Sequence, residues 1–164
     1  MKKMLFAVGI ALAIAASLIL WGSKFATGMV HDQLVAQKIT FPDKATLQAD
    51  NPALAKYASQ PVDNGLKAKA YADLIAGHLK KVAGGKTYSE VSEAYLKDKT
   101  NQALAGQRQT LFQGETLRGL LLNAWGWGLI GAIALYAACA FYLAAGGLVL
   151  ATVVLPAPKR SKRR

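Results

Sequence analysis

GLLLNAWGWGLIGAIALYAACAFYLAAGGLVLATVVLPAP, residues 119–158, runs for 40 positions without Asp, Glu, Lys, Arg or His. A bilayer core of ~30 Å is crossed by roughly 20 apolar residues in a helix rising ~1.5 Å per residue. The run is therefore twice as long as one crossing needs. Trp125 and Trp127 read as an interfacial belt, which leaves 119–128 as a membrane-proximal helix segment and 129–153 as the span proper. Tilting, or a break at Gly146-Gly147, would absorb the remaining excess.

Outward from this stretch, a second uncharged run, MLFAVGIALAIAASLILWGS, occupies residues 4–23 behind Lys2 and Lys3. Its anatomy also resembles a secretory leader, whose cleavage would need small residues three apart. Cutting after Ala26 puts Lys24 in the other small position, and cutting after Ser23 puts Trp21 there. Ala15 with Ser17 fits but strands LILWG on the mature end. The expectation is an uncleaved first span.

Of the 20 basic residues, two precede the first span and five, Lys159, Arg160, Lys162, Arg163 and Arg164, follow the second. Residues 24–118 hold 13 basic against 9 acidic residues, a net +4 out of the formal +11. By the positive-inside rule, residues 1–3 and 154–164 are cytoplasmic tails and 24–118 is an extracytoplasmic domain of a double-pass plasma-membrane protein. Lys2, Lys3 and the five basic tail residues, with Trp21 near the outer end of the first span, are the expected anchors. For KRSKRR the expected partner is anionic membrane lipid, at roughly 1 kcal/mol per basic residue. No nucleic-acid partner is expected, because only Ser161 accompanies these charges.

Small residues recur every four positions on both spans, at Gly9, Ala13 and Ser17 and at Gly128 with Ala132, Ala134 with Ala138 and Ala140 with Ala144. That spacing lets helix backbones approach closely, so the spans are expected to pair as a hairpin, with Cys139 as a small packing residue. The absence of ionisable residues in both spans argues against proton relays and ion-coupled transport.

The domain reads as all helical. Met29, Val30, Leu34 and Val35 extend the first span to Phe41-Pro42, where proline removes a donor. Asn51-Pro52 opens a short helix to about Tyr57. Asp63 or Asn64 caps the clearest helix, whose stripe Leu66, Ala70, Leu74, His78 and Val82 ends at Gly84-Gly85. Thr87 and Glu90 have capping-box spacing. A further helix carries Leu104, Arg108, Leu111 and Phe112, with Gly114 separating it from the long last helix. The expected fold class is an all-α membrane protein, two transmembrane helices flanking an extracytoplasmic helical domain.

VHDQLVAQKITFP at 30–42, AKAYADLIAGHLKKVAGGKTYSEVS at 68–92 and TLFQGETLRGLLLNAWGW at 110–127 resemble a family of small actinobacterial two-span membrane proteins of unknown function. Some members of that family carry the label of an aromatic ring-opening dioxygenase. Such chemistry needs iron held by two histidines and a carboxylate. His31 and His78 are the two histidines in the chain, one just beyond the first span and one on an apolar helix stripe. His78 is expected to be a core histidine bonded locally, and His31 an interfacial polar residue.

No GxSxG, HExxH, Walker or Rossmann motif occurs. The lone Cys139 excludes disulfide scaffolds and cysteine metal sites. The expectation is a protein without catalytic residues, metal or cofactor. It acts as an accessory or interaction subunit of a membrane-associated complex, docking a membrane or envelope protein. Phe112, Glu115, Leu117, Arg118, Leu121, Trp125 and Trp127 are the candidate surface, since aromatics with arginine anchor interfaces. The competing expectation is a self-assembling homo-oligomer, possibly pore-forming.

Overall fold

A computed structural model describes residues 1–154; the tail basic residues Lys159, Arg160, Lys162, Arg163 and Arg164 lie outside the described residues. The described residues form five α-helices, α1 (Lys2–Ala36), α2 (Lys44–Asp50), α3 (Gly65–Val82), α4 (Tyr88–Lys97) and α5 (Gln102–Val154), with a 3-10 helix at Pro52–Tyr57. Among the described residues the only extended pairing is an isolated antiparallel bridge between Thr40 and Pro61. The described residues divide into two compact units, one formed by 1–26 with 130–154 and the other by 27–129.

In the first unit, α1 and α5 lie antiparallel. Ser23 Oγ donates to the Gly131 carbonyl at 2.7 Å, and Ser17 Oγ lies 2.8 Å from the Tyr142 hydroxyl. A Cβ on Gly9 would come within 2.9 Å of a Val149 methyl carbon and 3.2 Å of the Ala145 carbonyl. The buried residues are Gly9, Ala16, Ser23 and Ala26 on α1 and Gly131, Ala138 and Ala145 on α5; Gly9, Ala16 and Ser23, like the α5 set, are spaced by seven, and Ala26 follows three residues on. The seam thus follows a seven-residue repeat, the period that keeps one helix face on its partner as the two wind left-handed. The expected four-residue rows are corrected on this point, because steps of four drift around the helix while steps of seven nearly close two turns. Cys139 is exposed beside buried Ala138 and so lies off the seam, contrary to the packing role expected for it.

The rest of this surface is apolar: Leu18 is 66% exposed and Leu143 79%. The most apolar 18-residue window of each helix is only 11% buried. A core helix of a water-soluble protein would hide such a face. Both helices are long and apolar enough to cross a membrane. No break occurs at Gly146-Gly147.

The second unit is built by caps. Helix α1 ends at Ala36, five residues short of Phe41. Lys38 turns the chain at φ 53°, and the backbone beyond it bonds elsewhere: Phe41 N–H to Gln60 O at 2.9 Å and Val62 N–H to Ile39 O at 2.8 Å. Asp43 caps α2 by accepting from Thr46 N–H, and Asn64 caps α3 by accepting from Lys67 N–H. Gly84 and Gly85, at φ 58° and 83°, close α3 as their amides return to Lys81 and Lys80. Thr87 and Glu90 form the reciprocal capping box of α4.

Phe41 sits at the centre of the main core with Leu47, Leu54, Val62, Leu74 and Leu121, its ring stacked on Tyr57 and edge-on to Tyr71, both at 5.2 Å. A smaller core joins Leu79, Ala83, Val91 and Leu111. Gly114 does not break α5, contrary to expectation. It lies beneath Leu79, where a Cβ would overlap the leucine methyls, and this packing outweighs the roughly 1 kcal/mol helix penalty of glycine. At Gly65 and Gly128 the first turn of α3 meets α5 backbone to backbone, a Gly65 Cβ falling 3.3 Å from the Gly128 Cα.

Candidate functional site

Between residues 29–39, mostly the C-terminal end of α1, and residues 117–127 of α5 lies a groove of about 430 Å³. Its floor is Val30, Leu34 and Leu121, all 5% exposed or less. Its walls are Met29, Leu117, Leu120 and Trp127, exposed by 37%, 40%, 65% and 45%. Gln33, Gln37 and Asn123 supply the polar groups of the lining.

The local sequence explains the shape. On α5, positions 117, 120, 121, 124 and 127 follow the three-and-four spacing of one helix stripe, while 29, 30, 33, 34 and 37 do the same from α1. Leu121 and Leu34 are drawn into the core, so their neighbours one step around the helix form the uncovered rim.

Of the seven residues expected to make one surface, Leu117, Leu121 and Trp127 line this groove. Leu121 is floor, not contact surface. Trp125 faces another way, half-buried against the start of α3 with the Lys69 ammonium 5.7 Å from its ring centroid. Glu115 and Arg118 pair with each other at 3.0 Å, one turn apart. Phe112, 54% exposed, belongs to a separate aromatic cluster, 6.1 Å from Tyr88. A stretch contiguous in sequence is thus distributed around the helix at 100° per residue. The α1 half of the groove was missed; the helical spacing of Met29, Val30 and Leu34 was the available signal, but nothing in it says which helix lies opposite. Trp21, expected as an anchor, is 69% exposed and stacks on Phe25 at 5.7 Å.

The histidines have structural partners. His78 is exposed rather than in the core, correcting the expectation, with Nε2 2.7 Å from Asp50 Oδ2, while Lys81 Nζ reaches the other oxygen at 2.7 Å. This joins the last residue of α2 to α3. The Lys81 ammonium, and then His78, hold the Asp50 carboxyl below its ordinary value. His31 Nδ1 lies 2.9 Å from the Asp63 carbonyl oxygen. Among the described residues no group of three or more His, Cys, Asp or Glu is placed to hold a metal ion.

No family model, curated protein or solved structure matches the chain.

Proposed function

We propose that this chain is a non-enzymatic integral membrane protein of the cell envelope, an accessory subunit whose helical domain docks a membrane or envelope protein through the groove between α1 and α5. The observation that carries this reading is the groove itself. Leu117, Leu120 and Trp127 stand uncovered beside a well-packed core, and contiguous exposed apolar surface rimmed by polar groups marks interaction sites. Trp127, on the wall of this groove, is of the residue type that most often dominates binding energy.

The charge distribution supports a double-pass orientation, both termini cytoplasmic and residues 24–118 extracytoplasmic.

The test is photo-crosslinking in native membranes from a benzoylphenylalanine at position 120, with position 66 on the exposed face of α3 as control. One discrete adduct with a different protein, lost in Trp127→Glu, is the expected result. A ladder in steps of the 17.4 kDa chain would replace the accessory reading with self-assembly.

A further inference from the structure

Away from the groove, α4 and the first three turns of α5 enclose a cleft of about 390 Å³ lined by Tyr88, Tyr95, Arg108, Gln109 and Phe112. Arg108 is half-buried at its centre. Its guanidinium carbon lies 5.4 Å from the Tyr95 ring centroid, and its Nε reaches Ser92 Oγ at 3.3 Å. The Ser92 hydroxyl, followed by the Arg108 guanidinium, holds the Tyr88 phenol below its ordinary value. Phe112 leans against Tyr88 and leaves half its surface open.

Among the described residues the cation has no counter-charge: of the three carboxylates on the two helices that form the cleft, Glu90 is engaged by Thr87 and Glu115 by Arg118, and the exposed Glu93 is not within ion-pair distance of Arg108. Arginine stays charged at every accessible pH, so the charge cannot be shed by deprotonation. Stacking on Tyr95 uses the face of the guanidinium and the Ser92 bond uses Nε, which leaves the terminal nitrogens as the donors for a carboxylate. Stacking and the Ser92 bond also fix the side chain before anything binds, which lowers the ordering cost of binding.

We infer that this cleft is a second docking point, one that takes an acidic segment of a partner protein with a carboxylate on Arg108 and a neighbouring apolar side chain on Phe112 and Tyr88. The inference rests on the accessory-subunit reading and specifies the chemistry of the partner. Charge complementarity selects this occupant: an unpaired cation set among aromatic rings, in a domain of net charge +4, favours an anion flanked by an apolar group.

The experiment uses the full chain in phosphatidylcholine nanodiscs and a fluorescein-labelled peptide, Gly-Asp-Phe-Glu-Gly, with Gly-Asn-Phe-Gln-Gly as its neutral counterpart, read by anisotropy. The acidic peptide should bind about ten-fold tighter than the neutral one. Arg108→Gln should erase that preference, Phe112→Ala should weaken both peptides, and Arg118→Gln should change neither. Far-ultraviolet circular dichroism of Arg108→Gln establishes that the helices persist, and Phe112→Ala, at an exposed position, tests the same cleft independently. The inference is overturned if neither peptide binds or both bind alike. It is equally overturned if the preference survives Arg108→Gln, or if phosphatidylglycerol vesicles bind through Arg108 while the peptide does not. Trp127→Glu should leave peptide binding intact, so a failure here with the position-120 adduct retained retires the acidic cleft and not the accessory role.

Discussion

The paired spans and the helical domain solve the same problem, holding helices together, with opposite materials. In the paired apolar helices the buried contact is made by Gly9, Ala16, Ser23, Gly131, Ala138 and Ala145, with Val149 and Tyr142 reaching the seam from its sides and most other large side chains exposed. In the domain most of the contact is made by Phe41, Leu47, Val62, Leu74 and Val91, and close backbone approach is confined to places such as Gly65 and Gly128. The difference is the one a change of medium would produce. Water drives large apolar groups together, so a domain gains by burying them. Lipid tails would give no such drive between helices, and α1 and α5, each apolar enough to cross a membrane, meet through close backbones and bonds such as Ser23 to Gly131.

The largest break in this comparison is expected at Phe41. Truncation to Ala removes the ring that Tyr57 and Tyr71 enclose and should lower the unfolding free energy of the domain by about 3–5 kcal/mol. Denaturant titration of the protein in detergent micelles, followed through tryptophan emission, should show the early transition. A loss below about 1 kcal/mol would mean that the aromatic cluster is not the centre of this core.

Next in size is Gly9→Leu, a change that adds apolar surface and would be harmless if bulk hydrophobicity held the spans. The seam predicts a cost of about 1–3 kcal/mol from overpacking against Val149 and the Ala145 carbonyl. Disulfide formation between cysteines placed at 17 and 142 reports it directly, because those side chains touch only while the helices are paired. Leu18→Ala, on the exposed side, should leave the crosslink unchanged.

The smallest effect sharpens the comparison through charge, which serves the domain and is missing from the spans. Asp50 bridges α2 to α3 through Lys81 and His78, and its folded pKa lies below the unfolded one. Its contribution is therefore complete above the unfolded value near pH 3.9 and is lost as pH falls through the folded value. Asp50→Asn should be less stable than the natural chain at pH 7, and the two urea midpoints should converge as pH is lowered below about 4. Equal midpoints at pH 7 would reduce the bridge to a surface contact.

What could be read beforehand was what is local. The Asn64 cap, the Gly84-Gly85 stop and the Thr87 and Glu90 box each lie within a few residues of the backbone they satisfy, so the sequence carries them whole. Helix α2 escaped notice because seven residues are too few to display a period, although its cap, Asp43, is ordinary in type. Gly114 was misread as a boundary because its reason for being glycine, Leu79, is 35 positions away. The candidate surface was assembled from a window of sequence, whereas a helix distributes such a window over all its faces. Arg108 was visible only as one polar residue in a helical stripe; its isolation from carboxylates is a fact about space.

The seven-residue seam also sets which changes of length the chain can absorb. One residue inserted between Gly9 and Ser23 would turn everything beyond it by about 100°, carrying Ser23 off Gly131 and a bulky neighbour into its place. Exchanges among apolar residues at Ile10, Ile14 or Leu18 cost the seam nothing. Descent should therefore leave the spans free to vary in composition on their outer sides and rigid in spacing within, while insertions and deletions gather in connections such as residues 98–101.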